Sequence, residues 1–232
     1  MKDSIRDKYW TFRRKYLVME RTPDYVIPKY FIHMVEPFFI YWFNRIRWTP
    51  NQVTLLGAFS MVVGTVCMYF HAFYISALFF CFYLVLDCVD GGLARYQKSF
   101  SNFGKLLDRW TDSVLRLFLL FTLFYLYDVP LAFKIAFVIT FALDYIIVLC
   151  YVVPYMRRQK LYRGKIKGWF FKRGIIPSYD IFWVYFTIIV CNILEQPFWM
   201  FLIIIVGKNL DWSYRLFEVL RTKKMIKQKR WS

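Results

Sequence analysis

The sequence is poor in the side chains that carry nucleophilic chemistry. It has two histidines, His33 and His71, and each is isolated. One falls in an aromatic N-terminal stretch and the other at a turn between apolar runs, so both read as surface residues and offer no catalytic triad. The five cysteines, Cys67, Cys81, Cys88, Cys150 and Cys191, all fall within hydrophobic segments without metal-ligand spacing. That pattern argues against a disulfide framework and against a thiolate metal site. A glycine-rich phosphate loop of the soluble-kinase kind is missing, as are internal repeats and low-complexity segments. The first thirty residues lack the uninterrupted apolar core of a cleavable signal peptide. Acidic residues are also scarce, 15 Asp and Glu against 32 Lys and Arg, so the position of each carboxylate is informative.

Apolar residues are abundant: 59% of the 232 residues are hydrophobic and 23% are aromatic. A soluble domain sits nearer half apolar. The excess is gathered into blocks of about 18 to 25 residues, the length a helix needs to cross roughly 30 Å of hydrocarbon. These blocks are apolar on nearly all faces, whereas soluble helices are striped. Six spans are predicted, at 52–70, 74–95, 104–127, 130–152, 177–195 and 197–214. Pro130 and Pro197 open two of them, at a position where a missing N–H costs nothing. Backbone hydrogen bonding in lipid makes the bundle helical. The expected fold is an all-α integral membrane protein, six transmembrane helices preceded by an interfacial amphipathic helical segment.

The net charge of +17 follows the same architecture. Lys and Arg concentrate at residues 1–50, 95–105, 154–175 and 207–232, while the turns near 71–73, 127–130 and 195–197 hold none. Alternating basic and non-basic loops are the positive-inside pattern, so the charge reads as topology and no nucleic-acid partner is expected. Both termini are predicted to be cytoplasmic in a multi-pass protein of a prokaryotic plasma membrane. Residues 1–48 form an arm in which Tyr9, Phe12, Tyr16 and Leu17 recur at helical spacing among Arg6, Lys8, Arg13, Arg14 and Lys15, as in a helix at the membrane interface. Residues 49–214 form the membrane domain and 215–232 a basic tail. The loop at 154–175 carries Arg157, Arg158, Lys160, Arg163, Lys165, Lys167, Lys172 and Arg173, a basic rim able to attract anionic headgroups.

Four carboxylates stand inside predicted spans: Asp87, Asp90, Asp108 and Asp112. An acidic residue at mid-membrane costs roughly 2.5–3.5 kcal/mol on insertion scales, and such residues mark functional sites by default. Asp87 and Asp90 are three apart and Asp108 and Asp112 four apart, so each pair shares a helix face. Gly91 and Ala94 continue the first face and Gly104 the second, and small residues allow helices to approach closely. Four clustered carboxylates repel unless a divalent cation lies among them. Oxygen-only ligands favour Mg²⁺ or Mn²⁺, which also bind phosphates. Arg95, a turn beyond Gly91, is placed to meet a phosphate at the cytoplasmic rim. The same parts suit phosphoryl transfer with two metal ions.

The order Asp87-Cys-Val-Asp90-Gly91-Gly-Leu-Ala94-Arg95, then Gly104, Asp108 and Asp112, resembles the signature of the CDP-alcohol phosphotransferases throughout. The segment Thr49-Pro50-Asn51-Gln52-Val53-Thr54 is similar to the one that opens the first span in that family. The resemblance implies a homodimer of six-helix protomers with a polar cavity open to the cytoplasm. It implies that Asp87, Asp90 and Asp108, with Asp112 close by, hold two Mg²⁺ or Mn²⁺ ions, and that Asp112 is the catalytic base. Gly91, Ala94, Arg95, Gly104 and Asn51 would receive the nucleotide and phosphates of a CDP-linked donor. An acceptor alcohol would displace CMP, and at least one substrate would be a lipid. Arg157 and Arg158 are candidates for a phosphorylated acceptor. Arg116 and Asp144, at similar depths, are expected to pair. A divalent-cation transporter using the same aspartates is the alternative, disfavoured because the outer halves of these helices are rich in Phe and Leu.

Overall fold

The computed structural model describes residues 5–17, 23–159 and 161–229; Lys160 of the basic loop and Arg230 of the tail lie outside them. The described chain is all-α apart from two short extended segments, Asp24–Tyr25 and Ile175–Ile176. It divides into two compact units, Met1–Tyr127 and Asp128–Ser232.

The first unit contains α1 (Ile5–Tyr16), α2 (His33–Arg45), α3 (Pro50–Tyr69), α4 (Phe73–Gln97) and α5 (Asn102–Leu126). Local chemistry sets the helix starts. Thr49 and Gln52 make a reciprocal capping box with Pro50 at the first helical position, which starts α3. Ser101 accepts from the Gly104 N–H at 2.9 Å and starts α5. Lys98, in the left-handed conformation at φ 55°, ends α4. The turn between α4 and α5 is therefore only residues 98–101.

α3 packs along α4 and against α5. Between helices in lipid the drive is close packing, not exclusion of water. Gly57 and Gly64 supply it: a β-carbon at 64 would lie 2.9 Å from the Phe80 ring. Ser60 Oγ donates across the seam to the Phe79 carbonyl at 2.8 Å. The expectation that Gly91, Ala94 and Gly104 bring the α4 and α5 backbones together is corrected here. Gly104 faces Asn51 on α3, and Gly91 faces the Arg95 guanidinium.

The second unit contains α6 (Leu131–Asp144), a π-helical segment Tyr145–Val152, α7 (Val153–Arg158), α8 (Lys165–Lys172), α9 (Ile181–Ile193) and α10 (Pro197–Lys229). α10 packs on α6 and α9. Several of its buried polar groups are paired, as an apolar surrounding favours: Lys208 with Asp144 at 3.0 Å, Lys167 with Glu218 at 2.7 Å and Asn209 with Thr140 at 2.8 Å. Arg116 and Asp144, expected to pair, each have a partner within their own unit. Asp144 takes Lys208, while Arg116 takes Asp112 one turn before it on its own helix. The basic loop is also less of a rim than expected. Lys167 is buried on Glu218, and Arg163 and Arg173 each lie 3.4 Å from the centre of an aromatic ring, Phe171 and Trp169.

Among the described residues, three helical runs are long and apolar enough to cross a membrane: Pro50–Tyr69, Phe73–Gln97 and Leu131–Arg158. Among the other expected spans, α9 has only 13 residues, and α5 is interrupted by Lys105, Asp108, Arg109, Asp112 and Arg116. Outward-facing Phe59, Phe70, Tyr74 and Leu78 give α3 and α4 an apolar exterior that suits lipid and not water.

The N-terminal arm is bound to α4. Phe12 packs on Phe38 and Tyr41, and Tyr16 stacks on Tyr96 at 5.2 Å. Tyr16, Ile40, Phe43, Val53, Leu86, Val89 and Leu93 form one buried cluster across α1, α2, α3 and α4. His33 is neither isolated nor on the surface, contrary to expectation; it is 8% exposed. Its Nδ1–H donates to Glu36 at 2.5 Å and its Nε2–H to Asp24 at 2.8 Å. His71 does sit at an exposed turn, at φ 59°.

Burial pulls the His33 pKa down, but the hydrogen bonds and charges of Asp24 and Glu36 outweigh it and raise the group to about 9. The folded value exceeds the ordinary 6.5, so the imidazolium's contribution to stability is complete below about pH 6.5 and is lost as the pH rises through about 9. The melting temperature of the purified protein should therefore fall between about pH 6 and pH 10, and fall less in His33→Gln. Parallel melting curves for the two proteins would show that the charged imidazole does not anchor the arm.

Candidate metal and phosphate site

The site is assembled by α3, α4 and α5, all in the first unit. On α4, Tyr83, Asp87, Asp90, Gly91 and Ala94 follow one another at steps of four, three, one and three, so all lie on one face. On α5, Gly104, Asp108, Asp112 and Arg116 repeat every four residues. α4 and α5 both pack on α3, and their carboxylate side chains meet across the site.

Oxygens of Asp87, Asp108 and Asp112 all lie within 4.8 Å of one another. Two full negative charges about 5 Å apart repel by roughly 3 kcal/mol at an effective dielectric of 20. Tyr83 donates to Asp112 Oδ1 at 2.8 Å, and the Arg116 guanidinium donates to Oδ2. Each carboxylate oxygen can accept twice, so Asp112 is held in one orientation with acceptor capacity remaining. A donor set of hard oxygens only, crowded to this degree, fits a divalent cation such as Mg²⁺ or Mn²⁺.

Asp90 is not one of that triplet. It is 9% exposed, and Thr54 Oγ1 donates to its Oδ2 at 2.6 Å. Asp90 instead lines a cavity of about 200 Å³ together with Asn51, Gly91, Ala94, Arg95, Gly104 and Asp108. Asp108 thus belongs to both the carboxylate triplet and the cavity. A β-carbon at 104 would stand 2.7 Å from Asn51 Oδ1, so glycine there is what lets Asn51 reach across to α5. Arg157 and Arg158 are exposed in the last turn of α7, in the second unit.

Sequence reasoning passed over three residues. Thr54 and Lys105 line the cavity, and Tyr83 holds Asp112. Tyr83 could have been found, since it lies one turn before Asp87 on the carboxylate face. Thr54 had a weaker signal, one turn inside the capping box on the helix that carries Asn51.

Apolar helices of membrane-spanning length thus carry clustered carboxylates beside a cavity lined by Arg95 and Lys105 as well as Asp90 and Asp108. Residues 47–176, more than half the chain, match the family model of the CDP-alcohol phosphatidyltransferases, and the chain belongs to that family. It is similar to an uncharacterized protein of Aquifex aeolicus (strain VF5), 29% identical over 83 residues, which cover 36% of this chain and 42% of that protein. The chain thus spans less than half the length of that curated relative.

Thr54→Val keeps the shape of the side chain but leaves a buried Asp90 oxygen without its donor. Loss of a hydrogen bond to a charged group costs about 1.5–3 kcal/mol, so Thr54→Val should melt lower than wild type while Thr54→Ser stays near it. Equal melting temperatures for the two variants would mean the contact contributes nothing.

Proposed function

We propose that the chain transfers a phosphoryl-alcohol or phosphatidyl group from a CDP-linked donor to an acceptor alcohol, releasing CMP, in phospholipid or polyol-phosphate synthesis. The observation that carries this reading is Asp108, shared between the carboxylate triplet and the cavity of Asn51, Gly91, Ala94, Arg95 and Gly104. One pocket thereby offers hard oxygen ligands and cationic phosphate contacts side by side.

In this reading Asp87, Asp90 and Asp108 hold divalent ions, which when bound neutralise the diphosphate and the charge developing on CMP. Arg95 and Lys105 face the phosphates, Gly91 and Ala94 give the nucleotide access to the α4 backbone, and Asn51 lines the nucleotide side. The acceptor hydroxyl attacks the β-phosphorus and a new P–O bond forms. The bond from that phosphorus to the bridging oxygen breaks, and CMP leaves with the electron pair. Asp112 takes the hydroxyl proton. Tyr83 and Arg116 fix its orientation, which a general base requires before its basicity matters. Both substrates are held by the protein, so direct displacement needs no covalent enzyme intermediate. We further propose that the protein works as a homodimer with the cavity open to the cytoplasm, and that one substrate is a membrane lipid.

A positioned base contributes about 10² to 10⁴ in rate. Asp112→Asn should lose turnover by that order while retaining affinity for CDP in Mg²⁺, whereas Asp87→Asn and Asp108→Asn should lose both. CDP affinity and CMP release measured for each variant decide it; an Asp112→Asn that loses CDP as severely as Asp87→Asn makes Asp112 a metal ligand and not the base. The orientation is tested separately, with single cysteines in a cysteine-free background. Labels at Asp128 and Gln196 should react only from outside and labels at Phe100 and Lys165 only from inside. The reverse pattern would remove the site from the cytoplasmic nucleotide pool.

A further inference from the structure

The N-terminal arm places a carboxylate against the phosphate side of the cavity. Glu36, on α2, has no exposed surface. Its Oε2 is fixed by His33, which is fixed in turn by Asp24. Its Oε1 has no hydrogen-bond partner among the described residues, an expensive condition for a buried carboxylate. On that side stands Arg95, whose Nη2 lies 3.8 Å from Oε1, just beyond hydrogen-bond reach. The other end of the same guanidinium, Nη1, lies over Gly91 at the cavity wall. Arg95 thus stands between Glu36 behind it and the phosphate cavity before it.

The two adjacent glycines of α4 serve the two sides of this arrangement. Gly91 opens to the cavity. Gly92, a hundred degrees round the helix, faces the arm, where a β-carbon would collide with Glu36 Oε1 and Ile40 Cδ1. The position of Gly92 is one that the spacing of the aspartate signature leaves free, and in this chain the buried carboxylate occupies the space that glycine leaves.

We infer that Glu36 is a positioning residue for donor binding: it holds the Arg95 guanidinium by one edge so that the remaining N–H donors face the diphosphate. This rests on the proposed transferase reading, in which Arg95 meets the donor phosphates. A guanidinium carries five donors in a rigid plane, so anchoring one edge sets the direction of the rest. A cationic side chain anchored in advance spends less conformational freedom on binding. The charge of Glu36 does not offset this gain by repelling phosphate, because the His33 imidazolium sits 2.5 Å from its other oxygen.

The test is a double-mutant cycle on the full-length purified protein, with CDP in Mg²⁺ as the binding probe and CMP release from CDP-diacylglycerol as the second readout. Glu36→Gln preserves size and should raise the CDP Kd by about tenfold, a typical pairwise coupling between neighbours in contact. Because the anchored contact is made in ground and transition states alike, KM should rise with kcat nearly unchanged. In an Arg95→Ala background the same substitution should change nothing. A purely structural anchor for the arm would instead weaken binding equally in both backgrounds, and that result overturns the inference. So does an unchanged Kd, or a tighter one, which would make Glu36 a brake on the cavity's charge. Should Glu36→Gln fail to fold, Gly92→Ala, which keeps the charge but displaces the carboxylate, takes its place in the cycle with the same expected outcomes. A wild-type protein that binds no CDP and releases no CMP would sink the transferase reading itself, and the inference with it.

Discussion

Mutual repulsion among carboxylates crowded within 4.8 Å is the constraint around which the first unit is organised. Such a cluster does not form spontaneously between two apolar helices; the backbone must enforce it. The enforcement is local. Thr49 and Gln52 start α3 and Ser101 starts α5, while Lys98 ends α4 with a single left-handed residue. α3, packed on both α4 and α5, holds the faces bearing Asp87 and Asp108 toward one site. Relief comes from single, directed contacts: Thr54 on Asp90, and Tyr83 and Arg116 on Asp112. A cation shared among the carboxylates would relieve the repulsion further.

α4 is the element on which these demands converge. One face presents Tyr83, Asp87, Asp90, Gly91 and Ala94 to the site. The opposite face presents Leu86, Val89, Gly92 and Leu93 to the arm and its aromatic core. A change on either face is therefore felt on the other through a helix held from both sides. The arm contributes more than apolar burial, because it carries a charged triplet, Asp24, His33 and Glu36, into a place where charges survive only when paired. In the second unit the same rule appears in another form. Lys208 with Asp144 and Lys167 with Glu218 pair long basic side chains with carboxylates, so basic residues that read as loop charge are partly internal structure.

Much of this was legible in the residues themselves. The helical character, the long apolar runs, the carboxylate face of α4 and the matching face of α5 follow from periodicity, because side-chain direction repeats with the helical turn regardless of what surrounds it. The family signature is equally a matter of spacing along two helices, and the family match spans both of them. Caps were partly readable too, since Thr-Pro-x-Gln carries its own hydrogen-bonding logic.

What the sequence could not convey is which helix each of those faces meets. His33 read as isolated because its partners, Asp24 and Glu36, acquire meaning only when the arm folds against α4 and excludes water. Gly104 read as a contact between α4 and α5, yet it receives Asn51 from α3; Arg116 and Asp144 read as partners, yet each has one within its own unit. The turns at Arg47, His71, Lys98 and Glu195 adopt left-handed backbone without glycine, so no residue type announced them. Spacing along a chain fixes direction and depth on one helix, whereas pairing depends on distances between helices, and those are decided only when packing chooses the neighbours.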